Sequence, residues 1–289
     1  MKVGINLLLW TGHVTEAQLP LFRALKDTGF DGVEVPIFDA SDPGHYRRLG
    51  QLLDDIGLER TVTTTIPDEA HSPISADPAD RQRGIDHLTR VIDCCAALGA
   101  GVLAGPWYQP LGVFSGRGPQ RQDYERCAEV HRAVAPLARD AGLSCALEVL
   151  NRFECDMFNT CEQASAYLDL LDEPGFGIHF DTFHAHIEEK DSLAAIRQSW
   201  QRGQLRHVHI SENDRGTPGR GQAKIREAIT LLRQLGYDDW LTIEAFGGSV
   251  PELAAATRVW RPFFASEEEV YTEGHSYIRH CWDGETAQP

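Results

Sequence analysis

At 289 residues the chain is long enough for one large α/β barrel or for two smaller domains, and its 42% hydrophobic and 24% charged residues match a soluble globular protein. The formal net charge of −16 has the wrong sign for a nucleic-acid backbone, which needs clustered Lys and Arg, and no apolar run reaches the roughly 18 residues of a membrane span. The seven cysteines form no CxxC pair and suggest neither a disulfide framework nor a zinc knuckle, so they read as reduced core thiols of a cytoplasmic protein.

The opening MKVGINLLLW is too short for a signal peptide and lacks a small-residue cleavage site, which makes residues 3–9 (VGINLLL) the first strand. A helical pattern over 16–28 follows, with strands at 32–35 (GVEV) and 60–65 (RTVTTT). Next come a helix over 81–98, a strand at 101–105 (GVLAG), a helix over 126–141 and a strand at 144–150 (SCALEVL). The last third adds a helix over 162–171, strands at 176–181 (FGIHFD) and 205–210 (LRHVHI), a helix over 224–235 and a strand at 240–246 (WLTIEAF). A glycine often follows the helical segments, as a C-terminal stop. Strand-helix units repeating every roughly 30 to 40 residues imply parallel strands with right-handed crossovers, and eight of them close into a (β/α)8, or TIM, barrel. An open doubly wound sheet is the alternative, but no GxGxxG follows the first strand and no GxxxxGK[ST] occurs. With no low-complexity linker, residues 1–289 read as a single domain, ending in an additional helix with an acidic start and a polar end that frays.

Barrel enzymes carry their chemistry at the C-terminal ends of strands. Glu148 sits near the end of strand five, inside a run that otherwise looks buried on both faces. Asp181 ends strand six, His209 ends strand seven and Glu244 lies near the end of strand eight, at successive separations of 33, 28 and 35 residues. One acidic residue in a strand is usually a misplaced boundary or a structural ion pair. Four polar residues at matching positions on successive strands instead read as a metal site. Three carboxylates and one imidazole suit Mn2+, Mg2+ or Co2+ better than a structural Zn2+. His207 shares the face of His209 and competes with it as ligand, His209 being nearer the strand end. His184, Arg215 and Glu154 fall in the loops that would lean over such a metal, although a lone loop residue of these types is more often on the surface.

The motifs ALEVLNRFE, FDTFHAHIEE, HVHISENDR with the PGRG after it, and IEAF resemble, in order and spacing, the strand-five to strand-eight motifs of the ketose 3-epimerases, the D-tagatose, D-allulose (D-psicose) and L-ribulose 3-epimerase family of the xylose-isomerase-like barrels. The similarity extends from GINLLLW through GFDGVEVP to the C-terminal helix. The resemblance implies that Glu148, Asp181, His209 and Glu244 hold a divalent metal, Mn2+ before Co2+ or Mg2+. It also implies that Glu148 and Glu244 act as the acid/base pair, and that Glu154, His184 and Arg215 hold the ketose near C1 to C3. A metal on O2 and O3 would act as Lewis acid for the cis-enediolate formed when C3 loses its proton, with the second glutamate protonating the opposite face.

The chain departs from the family at Ala245, where Pro is frequent, at Asn6 and in the strand-four loop GPWYQPLGVFSG (105–116). Asn6 and Trp107 are assigned here to substrate binding, Trp107 as an apolar wall with Trp10 and Tyr108. A homodimer or homotetramer without nucleic-acid or membrane partners is implied. The alternatives are an aldose-ketose or hydroxypyruvate isomerase, which would share barrel and metal, an abasic-site endonuclease, against which the charge speaks, and a sugar-binding protein without turnover.

Overall fold

The computed structural model describes residues 1–284; the polar end expected to fray lies partly in 285–289, outside the described residues. Eight parallel strands, β1 (Lys2–Asn6), β2 (Gly32–Pro36), β3 (Glu59–Thr63), β4 (Val102–Gly105), β5 (Ser144–Glu148), β6 (Phe176–Asp181), β7 (Leu205–Ile210) and β8 (Trp240–Ile243), pair in sequence order. β1 closes on β8 through Lys2 opposite Trp240 and Ile5 opposite Ile243, which excludes the open sheet and makes the fold a (β/α)8 barrel. Around it run α1 (Leu19–Thr28), α2 (Pro43–Ile56), α3 (Pro78–Leu98), α4 (Arg121–Asp140), α5 (Cys161–Leu171), α6 (Thr182–Glu188), α7 (Ser192–Gln201) and α8 (Ile225–Leu235). α9 (Pro251–Ala256) follows β8, and the additional C-terminal helix is α10 (Glu267–Asp283), which packs on α8 and α1. No helix among the described residues is long and apolar enough to cross a membrane.

The inner and outer faces of the strands are both buried, which is why the strands read as near-continuous apolar runs. Strands six and seven match their expected bounds. Strand one stops three residues early: Asn6 Oδ1 accepts from Leu8 N at 2.9 Å and turns Leu7–Leu9 into a 3-10 turn. Strands five and eight stop at Glu148 and Ile243, so Glu148 is the last paired residue of its strand, opposite His179, and Glu244 lies just beyond the end of its own. Gly105 ends β4 at φ 111°, where a Cβ would stand 2.3 Å from the Thr64 carbonyl, so only glycine fits that close turn. α2, α6 and α7 add helices to those expected from periodicity; α2 begins with Pro43 at its first turn, where Asp42 Oδ1 accepts from Gly44 N.

Candidate metal centre and active site

The register brings the expected residues to one level. Asp181 lies opposite His209 across β6 and β7, and Asn6 lies opposite Glu34 across β1 and β2. One ligand atom each from Glu148, Asp181, His209 and Glu244 falls within 4.8 Å of all the others, and all four residues are buried. His209 Nδ1 stands 3.4 Å from Glu244 Oε1, 3.6 Å from Asp181 Oδ2 and 3.8 Å from Glu148 Oε1, yet makes no hydrogen bond. A buried nitrogen aimed at three carboxylate oxygens and bonded to none of them is the vertex that a hard cation would fill, and the donor set of three oxygens and one nitrogen fits one.

The electrostatics agree. Burial drives the Glu148 carboxyl well above the ordinary carboxylate range, and the Glu244 charge adds to it. Burial pushes Glu244 and Asp181 the same way, but the charges of His209 and Arg215 at the first, and chiefly that of Arg215 at the second, outweigh it and lower both. At His209 burial favours the neutral ring, and Glu34 and Glu244 overcome it and raise the imidazole well above its usual range. The cluster therefore gathers positive charge wherever it is offered, and a metal on Nδ1 would displace a proton to supply it.

Each group is oriented by its own strand end or loop. Asp181 caps α6, its Oδ1 accepting from Phe183 N at 2.6 Å and His184 N at 3.0 Å, which leaves Oδ2 for the cluster. His184 Nδ1 accepts from Asn151 N at 3.0 Å, while its Nε2 stands 3.0 Å from Arg215 Nη2 and 3.7 Å from Glu148 Oε1. Burial and the neighbouring Arg215 charge push His184 down to about 3, which keeps it neutral. Asn151 Nδ2 donates to Glu154 Oε1 at 2.7 Å, so one asparagine sets both loop residues. Arg215 donates to Glu244 Oε2 at 2.6 Å and Asp181 Oδ2 at 3.3 Å, while its guanidinium lies 3.8 Å from the Phe183 ring centre and 4.9 Å from that of Phe246. Its backbone at φ 64° is left-handed, a conformation that side-chain-bearing residues rarely hold without a reason.

A cavity of about 160 Å3 opens above the cluster, and Glu148, Glu154, His184, Arg215 and Glu244 all line it. Larger depressions lie on the outer surface, and none of them reaches these carboxylates. The aromatic wall expected from Trp107, Trp10 and Tyr108 needs correction. Trp107 is fully buried against His131 and Phe176, behind β4, and does not face the cavity. The Tyr108 hydroxyl donates to the Glu148 carbonyl at 2.7 Å, and Trp10 packs near Tyr271. Leu8, Phe38, Leu111 and Phe246 form the apolar walls instead. Asn6 likewise sits behind the cluster, not in the cavity, its Nδ2 3.0 Å from Glu34 Oε1 and 3.2 Å from Glu244 Oε1. His207 lies one layer below His209 with its Nε2 2.9 Å from Glu34 Oε2; it falls outside the carboxylate cluster and instead groups with His179 and His209.

Glu34 is a residue that the strand-end reading passes over. It is fully buried, and its Oε1 accepts from His209 Nε2 at 2.6 Å. Burial would raise its carboxyl, but His209 and His207 outweigh that and hold it well below the usual range. The signal was present in GVEV, where a carboxylate interrupts a buried strand as Glu148 does in its own.

Fold and site together define a TIM barrel with a buried carboxylate–imidazole cluster at the C-terminal ends of its strands. The family model described as xylose isomerase-like TIM barrel matches residues 22–281. A ketose 3-epimerase of Arthrobacter globiformis is 34% identical over 96% of each chain, and an L-ribulose 3-epimerase of Mesorhizobium japonicum is 30% identical over 96% of this chain and 93% of its own. A solved L-ribulose 3-epimerase superposes with a TM-score of 0.91 at 29% identity, covering 98% of this chain and 95% of that one. The chain belongs to the xylose isomerase-like TIM barrel family and, through these relatives, to its ketose 3-epimerases.

Proposed function

We propose that the protein is a metal-dependent ketose 3-epimerase acting on free ketohexoses or ketopentoses. Glu148, Asp181, His209 and Glu244 would hold the cation, with Mn2+ the best match to the donor set and Co2+ or Mg2+ as alternatives. When bound, the cation would supply a Lewis acid for the ketose. The observation that carries the reading is that Glu148 and Glu244, on different strands, both border the one cavity above the cluster. One of them takes the proton from C3 as the other delivers a proton to the opposite face, and the roles exchange in the reverse direction. The electron pair stays on the substrate, so no redox partner is required. The guanidinium of Arg215 offers donors to sugar oxygens, Glu154 offers an acceptor, and His184 lines the same cavity beside them. The apolar walls exclude water from the reacting carbon. Seven free, buried cysteines support a reducing, cytoplasmic setting, and the barrel is read as one domain that assembles into a homodimer or homotetramer.

The test is proton NMR in D2O with Mn2+, offering D-fructose, D-tagatose and L-ribulose separately beside an EDTA-treated control. The expected result is metal-dependent formation of the C3 epimer with deuterium at C3. An aldose product, with deuterium entering at C1 or C2, would replace this reading with an aldose-ketose isomerase.

A further inference from the structure

Glu34 has more partners than an acid filling a gap in a strand requires. Its Oε1 accepts from His209 Nε2 at 2.6 Å and from Asn6 Nδ2 at 3.0 Å; its Oε2 accepts from Thr61 Oγ1 at 3.0 Å and stands 2.9 Å from His207 Nε2. The same Asn6 amide reaches Glu244 Oε1 at 3.2 Å. Two of the four groups at the cluster are thus held from behind by one carboxylate on β2, a strand that contributes no atom to the cluster itself.

The geometry of the imidazole gives this a chemical meaning. A histidine binds a cation through a bare nitrogen, with its proton on the other one, and an acceptor at the far nitrogen fixes both tautomer and ring orientation. The nitrogen of His209 that faces the carboxylates is Nδ1, and the one that Glu34 engages is Nε2.

We propose that Glu34 is the positioning residue of the metal centre: it locks His209 with Nδ1 turned to the cluster and, through the amide of Asn6, sets where Glu244 Oε1 stands. The inference rests on the reading of Glu148, Asp181, His209 and Glu244 as a cation site. Its rival is a Glu34 that merely satisfies Thr61 and His207 inside the barrel.

The test uses full-length protein stripped of metal and titrated with Mn2+ alone, free ion being followed by electron paramagnetic resonance, beside thermal melts of the stripped protein. Glu34→Gln keeps the shape but turns one acceptor oxygen into a donor facing donors. The expected result is Mn2+ affinity weakened roughly 10- to 100-fold, the range for an outer partner of a ligating histidine, together with a lower metal-free melting temperature from the buried donor left facing donors. Glu34→Asp, which withdraws the acceptor without abolishing it, is expected to lie between Gln and wild type, and it carries the same test if the Gln variant does not fold. On wild-type protein with 15N-labelled histidine and Mg2+, His209 is expected to carry its proton on Nε2 and none on Nδ1. Variant affinity within about threefold of wild type, or the reverse tautomer, overturns the role of Glu34 and leaves the metal site standing. Wild-type protein that binds no divalent cation overturns both.

Discussion

Two fully buried histidines in this barrel make opposite use of the same side chain. His131, on α4, packs outside the strands between Trp107 and Phe176, and both its nitrogens have partners: the Trp107 carbonyl at 3.3 Å and the Tyr167 hydroxyl at 2.7 Å. Burial lowers it to about 4, so it is a neutral part of the packing. His209, at the end of β7, has one nitrogen on Glu34 and the other facing three carboxylate oxygens without a bond. Burial is equal in the two places, so burial alone does not set them apart. The difference is that the unbonded nitrogen of His209 faces three carboxylate oxygens, whereas both nitrogens of His131 have partners.

The contrast breaks most sharply at the carboxylates around His209. Glu148→Gln or Glu244→Gln is expected to lower kcat by about 10²- to 10⁴-fold, the usual weight of a general acid or base, with exchange at C3 as the readout. Turnover within a factor of ten of wild type would remove these two from the acid/base role. A step smaller, His209→Gln is expected to weaken Mn2+ binding at least about tenfold, whereas His131→Gln leaves that affinity unchanged and lowers only the melting temperature. Equal loss of metal in both variants would erase the distinction.

Acid sharpens it from the other side. His131 titrates at about 4 in the folded chain against 6.5 when exposed, so below pH 6.5 the unfolded chain takes up a proton that the folded one refuses. Stability is therefore lost as the pH falls from 6.5 towards 4, by about 3 kcal/mol from this group, and is constant with respect to it above 6.5. His131→Phe is expected to be less stable at pH 8 but to lose correspondingly less between pH 6.5 and 4, as denaturant melts across that range would record. The smallest effect is assigned to Trp107→Phe, with KM for the ketose within about twofold of wild type, since the indole lies behind β4 and not in the cavity. A large rise in KM would return it to the sugar wall.

The barrel was legible because its signal is repetition: eight apolar runs spaced by helical patterns need no individual boundary to be right. That Glu148, Asp181, His209 and Glu244 come together was legible for a similar reason, since a carboxylate or imidazole marks each of four successive strand ends. What escaped depended on local turns and on direction. Asn6 ends its strand by bonding to Leu8 N, and that turn decides that its amide points at Glu34 and not at the cavity. Trp107 follows Gly105, whose left-handed backbone redirects the chain, and composition carries no mark of which side of β4 the ring will take. Phe38 and Leu111 form the walls from loops whose reach no periodicity encodes. Glu34 is the one omission with a visible cue, the same interruption of a buried strand that drew attention to Glu148.

Asp181 divides its two oxygens between tasks, one closing the first turn of α6 and the other facing the cluster. Any remodelling of the segment after β6 would thereby shift the carboxylate cluster too, because helix start and cluster member are a single side chain. The segment after β4 meets the pocket through Pro106 and Leu111 and is tied to the next loop by a backbone bond, Gly112 N to the Glu154 carbonyl at 2.8 Å. The same loop also reaches back to the cluster, since the Tyr108 hydroxyl donates to the Glu148 carbonyl at 2.7 Å, so its tip at Leu111 can vary more freely than its base at Tyr108.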